Sequence, residues 1–160
     1  MTHEEYVNLE TAKLLKKAGF DWECPTFYTE TFDYRNQDGT GKFEFRRNDN
    51  LRYQNPNDDL NSFVNHKGTL LEYKFEMYSA PTQAVAQRWL REVKNREVVV
   101  DVDMRTAHLY IPLVGTVKPY VEDNMPVVAW KRSDHKFPSY EAALESGLQH
   151  CLKILTYKNA

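Results

Sequence analysis

The stretch Leu71-Glu-Tyr-Lys-Phe-Glu-Met-Tyr-Ser-Ala-Pro-Thr-Gln-Ala-Val-Ala-Gln-Arg-Trp-Leu-Arg-Glu-Val93 changes its periodicity once, near Ser79, and the fold class follows from that change. Before it, Leu71, Tyr73, Phe75 and Met77 alternate with Glu72, Lys74, Glu76 and Tyr78, the period of a strand with one buried and one wet face. After it, Val85, Trp89 and Val93 recur at helical spacing, with Ala86 and Leu90 widening the stripe. Ser79 is the expected cap, and Pro81 falls in the first turn, where a missing N–H costs nothing. Val98, Val100, Val102 and Met104 then alternate with Glu97, Val99, Asp101 and Asp103, and Ala107, Leu109 and Ile111 with Thr106, His108 and Tyr110. A hairpin pairing Val102 with Leu109, or shifted from it by two, puts both apolar sets on one face.

Working outward, Asn8-Leu-Glu-Thr-Ala-Lys-Leu-Leu-Lys-Lys-Ala-Gly19 predicts a helix capped by Asn8 and stopped by Gly19. Its stripe is Leu14, Leu15 and Ala18, with Leu9 or Ala12 a turn back. The runs 27–34 and 42–47, separated by an Asp38-Gly39 loop, predict a hairpin. Residues 48–68, rich in Asn and punctuated by Pro56 and Gly68, have neither period and are expected as a long irregular loop. A short strand is expected at 127–131. A final helix begins at Pro138-Ser139 and buries Tyr140, Ala143, Leu144, Gly147, Leu148, Cys151, Leu152 and Leu155. Gly147 on that apolar face implies close approach to a neighbour.

The resulting order is α-β-β-loop-β-α-β-β-β-α. This is an α+β class with three helices covering an antiparallel or mixed sheet of about five to six strands, read as a single domain over residues 1–160.

The chain carries 21 Lys+Arg against 23 Asp+Glu, so it has no global basic field to gather a phosphate backbone. The apolar run Val127–Trp130 is far below the ~18–20 residues that cross a bilayer, so no membrane partner is expected. The acidic start Thr2-His3-Glu4-Glu5 lacks the pattern of a secretory signal, and Cys24 and Cys151 form no disulfide framework. A cytoplasmic protein with free thiols is the expectation.

Three blocks have distinctive wording: Asn8–Phe20, Tyr78–Glu92 (Tyr-Ser-Ala-Pro-Thr-Gln-Ala-Val-Ala-Gln-Arg-Trp-Leu-Arg-Glu) and Ser139–Lys153 (Ser-Tyr-Glu-Ala-Ala-Leu-Glu-Ser-Gly-Leu-Gln-His-Cys-Leu-Lys). In them the chain resembles small hypothetical proteins encoded by phages and mobile elements of gut Bacteroidales. The resemblance implies a genomic setting and an intracellular life, and it implies no mechanism.

Several constellations bear on chemistry. Asp58-Asp59, then Glu72-x-Lys74, then a helix with Gln83 and Gln87 resembles the PD-(D/E)xK nuclease core, with Asp59 and Glu72 as metal-binding carboxylates and Lys74 positioning water. The plainer reading is solvated surface charge, because Asp58 and Asp59 sit in an Asn/Pro-rich segment. Asp103 facing His108 and Asp101 facing Tyr110 across the second hairpin are equally read as ordinary cross-strand contacts, with no metal assigned. His150 and Cys151 lie about 100° apart on their helix and cannot converge on one ion. No GxSxG, Walker-type or GxGxxG loop is present, so no cofactor is expected.

Lys42, Arg46, Arg47 and Arg52 interleave with Phe43, Phe45 and Tyr53, and Arg88 and Arg91 stud the helix after Ser79. Basic residues among aromatics suit single-stranded nucleic acid, with Arg46, Arg47, Arg88 and Arg91 as contacts. Yet Phe43 and Phe45 share one side of their strand, the pattern of a buried face. The expected function is therefore non-enzymatic binding of a protein partner by an accessory protein, with nucleic-acid binding as the alternative and the nuclease after it.

Overall fold

The computed structural model describes residues 5–33, 41–47, 73–105, 109–118 and 127–157. Among these residues the elements run α1 (Leu9–Ala18), β1 (Thr26–Asp33), β2 (Gly41–Arg47), β3 (Tyr73–Ser79), α2 (Gln83–Lys94), β4 (Arg96–Val102), β5 (Tyr110–Lys118), β6 (Val127–Arg132) and α3 (Tyr140–Tyr157). The class is α+β, and the order of helices and strands is the one read from periodicity. The strands do not join one sheet: they form two three-stranded antiparallel sheets, ordered β2-β1-β3 and β4-β5-β6. The chain correspondingly gathers into two compact units, Asn8–Pro81 and Met1–Val7 with Thr82–Ala160. The Asn-rich segment 48–68 lies outside the described residues.

In the Asn8–Pro81 unit, α1 packs on β3 and β1. The Asn8 side chain accepts the Thr11 amide at 3.0 Å, and Gly19 stops the helix at φ 93°, a conformation that glycine alone adopts without strain. Ala12 and Leu15 are fully buried, and Thr11 joins them on the covered face while Leu14, expected in the stripe, is half-buried; Phe20, just past the stop, is buried as well. Cys24 donates its thiol hydrogen to the Thr26 carbonyl, and Thr26 Oγ1 donates to the Ala80 carbonyl at 2.6 Å, tying the start of β1 to the end of β3.

In the other unit, α2 lies against β4, and α3 against β4 and β5. The Gln83 amide bonds the Glu5 carbonyl and Tyr6 bridges Thr82, which draws residues 5–7 into this unit and buries Val7. The cap of α2 is Thr82, whose hydroxyl accepts the Val85 amide at 3.2 Å. Ser79 is not the cap, because it is still paired with Phe27 in the β ladder, and Pro81 precedes the helix. The later start turns the buried stripe toward Gln83, Ala86, Trp89 and Leu90 and leaves Val93 exposed. Gln83 is buried because its amide donates to the Glu141 carbonyl and to Glu145, a polar tie between the two helices. Ser139 caps α3 by accepting the Ala142 amide.

The second hairpin forms, but its register differs by one from the expected pairing: Val102 faces Tyr110, Val100 faces Pro112 and Val98 faces Val114. A one-residue slip exchanges the faces of a strand. Pro112 and Val98 thus share the side against α3, where a β-carbon on Gly147 would stand 2.7 Å from Val98 Cγ1 and 3.1 Å from Pro112 Cβ. The close approach anticipated at Gly147 is therefore made against this pair. It holds the helix backbone on the sheet and favours the register that puts Pro112 opposite it.

Candidate functional site

A three-stranded sheet with strands ~4.8 Å apart is wider than the ~10 Å helix that covers it. With α1 over β3 and β1, the outer strand β2 is not covered by α1 on the same face. Register places Phe43 opposite Glu30, Phe45 opposite Tyr28, and Tyr28 opposite Tyr78, so these side chains share the α1 face. Phe43 and Phe45 are 42% and 46% exposed, and the buried face expected of them is corrected accordingly. Phe45 meets Tyr28 edge-on, ring centroids 5.2 Å apart, which fixes its ring without covering it.

Beneath the flank of α1 lies a polar cluster. Glu30 is buried, and it accepts the Tyr78 hydroxyl at 2.9 Å with Lys13 Nζ 3.7 Å away. Lys16 stands 3.6 Å from Glu76 and donates to the Met77 carbonyl at 2.9 Å. Two carboxylates facing each other across β1 and β3 repel, and the two lysines of α1 compensate them. Lys13 also sits 4.7 Å from the centroid of the Phe43 ring. Burial of the Tyr78 phenol, reinforced by Glu30 and Glu76, pushes its pKa well above the ordinary tyrosine value, so the hydroxyl remains a donor.

The arginines proposed for nucleic acid divide between the two units. Arg46 and Arg47 end β2, where Arg46 pairs with Glu44. On α2, Arg88 pairs with Glu92 at 2.8 Å, and Arg91 pairs with Glu97 at 2.8 Å. The guanidiniums of Arg46, Arg88 and Arg91 thus each have a carboxylate partner within their own unit. Of the nuclease set, Asp59 and Glu72 lie outside the described residues, and the Lys74 backbone is paired with Phe32 in β3. His108 also lies outside them. Asp101 faces Ile111 rather than Tyr110, a consequence of the shifted register. Asp103 is buried and takes Lys136 Nζ at 2.6 Å and the Arg105 amide at 3.1 Å, a loop-fixing role.

Among the described residues no three His, Cys, Asp or Glu side chains gather as a metal site, and no helix is long and apolar enough to cross a membrane. Both thiols are buried: burial pushes Cys151 up to about 12 against the opposing charge of Arg96, and raises Cys24 as well, so neither is an activated nucleophile.

Sequence reasoning found the Phe43/Phe45 alternation but not its exposure, and it missed Lys13, Glu30 and Tyr78 as one cluster. The spacing of Lys13 and Lys16 on one helix face is the signal that a charged sheet face lies below it. Comparison with protein-family models, with curated proteins and with solved structures finds no match for this chain.

Proposed function

We propose that the chain is a non-enzymatic binding protein that takes a protein segment against the aromatic face of β2. The observation that carries this reading is the pair Phe43 and Phe45, exposed side by side on a strand that α1 does not cover. Aromatic side chains held in one conformation lose little entropy on binding and supply the anchors of most interfaces. The neighbouring cations Lys13 and Arg46 are already matched by Glu30 and Glu44, which favours an apolar and main-chain ligand over a phosphate backbone. An accessory role inside a bacterial cell, for a phage or mobile element, is part of this reading and rests on the sequence resemblance alone.

The test is selection of a random peptide library on the immobilised chain, with binding of selected peptides read by fluorescence polarisation. Phe43→Ser with Phe45→Ser should weaken binding at least about tenfold while the melting temperature stays close to that of the parent. Peptides that bind the double variant equally well would overturn the assignment. Single-stranded nucleic acid is the second reading, favoured by the same exposed rings beside Arg46 and Arg47. It would displace the first if a labelled oligothymidylate binds in a salt-dependent manner that the double variant abolishes.

A further inference from the structure

In the unit of α2, α3 and β4-β5-β6 the cover again stops short of an outer strand, and here the gap is a cleft of about 300 Å³. Its walls come from three places: the Ser146, Gly147 and His150 side of α3, Lys131 at the end of β6, and the loop carrying His135. Lys131 faces Val114, which faces Val98 in turn, so the lysine stands on the side of the sheet that α3 covers. Lys131 is exposed at the rim of that face, beyond the reach of α3, and brings a cation to the mouth of the cleft.

The loop has its own geometry. After β6 the Ser133 amide still bonds the Pro112 carbonyl, yet the next pairing to β5 joins Phe137 with Tyr110, so residues 134–136 bulge out of the ladder. The Ser133 hydroxyl accepts the His135 amide at 3.1 Å and closes the bulge as a turn, while Lys136 is drawn to Asp103. His135 is thereby left on the cleft. Arg132 also lines it and lies 3.7 Å from Asp101; among the described residues Asp134 is the one carboxylate in the lining. Among the described residues the side chains of Lys131, His135 and His150 take no hydrogen-bond or ion-pair partner, so three nitrogen donors face a small concavity in which Ser146 adds a hydroxyl.

We propose that this cleft is a binding site for a small phosphate monoester, with the phosphate held by Lys131, His135 and His150 and the ester group resting against Pro112 and Gly147. Nitrogen donors and a hydroxyl around a compact space suit a tetrahedral oxyanion. The volume is at the lower end of small-ligand pockets, which selects a metabolite over a polymer. The site is independent of the β2 face and of the reading attached to it.

Amide chemical shifts of the full chain, titrated with inorganic phosphate, ribose 5-phosphate and ribose, test the proposal. Phosphate and ribose 5-phosphate should give saturable shifts confined to residues 131–135 and 146–150, with ribose silent. Lys131→Gln and His150→Gln should each weaken binding by about tenfold, as expected for loss of a charge-assisted donor, and Lys17→Gln on α1 should leave it unchanged. Both positions are exposed, so folding is retained in these variants. Shifts spread over other basic surfaces, or equal binding by the two cleft variants, would overturn the site. Tighter binding of a phosphoserine peptide or an oligonucleotide at the same amides would overturn the assignment to a small molecule.

Discussion

The two units are made from the same parts and stabilised differently. In each, a three-stranded antiparallel sheet is covered on one face by helix, and among the described residues the helices leave an outer strand, β2 or β6, uncovered. The unit of α2 and α3 meets its sheet through apolar contact: Trp89, Leu90, Val98, Leu148 and Leu152 are fully buried, and Gly147 lets α3 touch Val98 and Pro112. Among the described residues the other unit has one short helix, α1, and part of its contact is charged, with Lys13 and Lys16 over Glu30, Glu76 and Tyr78. Two helices supply enough apolar area for a dry interface. The ten-residue α1 by itself does not, and part of the sheet face beyond it is aromatic.

The comparison can be broken most severely in the dry unit. Trp89→Ala should cost about 3–5 kcal/mol, the usual loss for a fully buried aromatic. Denaturant unfolding followed by hydrogen exchange should show protection lost first in residues 83–157; loss spread evenly over both sheets would mean that the units do not differ as described. Gly147→Val should cost about 1–3 kcal/mol, because the added atoms meet Val98 and the rigid Pro112 ring. A thermal melt that shows no loss would refute the close contact.

Both units should lose stability at alkaline pH, the α1 unit through Tyr78 and the other through the buried Cys151 thiol, and Tyr78→Phe should remove the first response alone. Tyr78→Phe removes the donor to a buried carboxylate and should cost about 1.5–3 kcal/mol near neutral pH. The folded protein keeps the Tyr78 proton above the ordinary value near 10 while the unfolded chain releases it there. The contribution of this hydroxyl is therefore complete below about pH 10 and declines as pH rises beyond it. Tyr78→Phe should flatten that alkaline decline, which parallel melts at pH 8 to 11, roughly spanning the titration, will reveal. The smallest effect on stability is expected at the uncovered strand: Phe45→Ala should change it by no more than about 0.5 kcal/mol, since an exposed side chain has little to lose. A larger loss in denaturant titration would make Phe45 a packing residue rather than a binding one.

Much of the fold could be read from particular residues. Asn8 and Gly19 mark both ends of α1, and the alternation of Tyr73, Phe75 and Met77 predicts β3, because caps and periods are local properties of the chain. Ser79 misled because a serine ahead of a helix serves equally well as a strand residue, and only its pairing with Phe27 decides between the two. The sequence predicts the short strand at 127–131 without a face for Lys131; only the register across β5 shows that it stands on the side that α3 packs against. Asp59 and Glu72 remain where the sequence left them, outside the described residues.

The sequence by itself determined the α+β class, the order of elements and the cap of α1, which depend on residues within a few turns of one another, and it marked Gly147 as a point of close approach without naming Val98 and Pro112 as the neighbours. The tertiary structure decided the division into two sheets, the one-residue register of the second hairpin, the exposure of Phe43 and Phe45, and the meeting of Lys131, His135 and His150 at one cleft. These depend on how wide a sheet is relative to the helices that cover it and on which strands pair, and a local pattern of apolar and polar residues carries neither quantity.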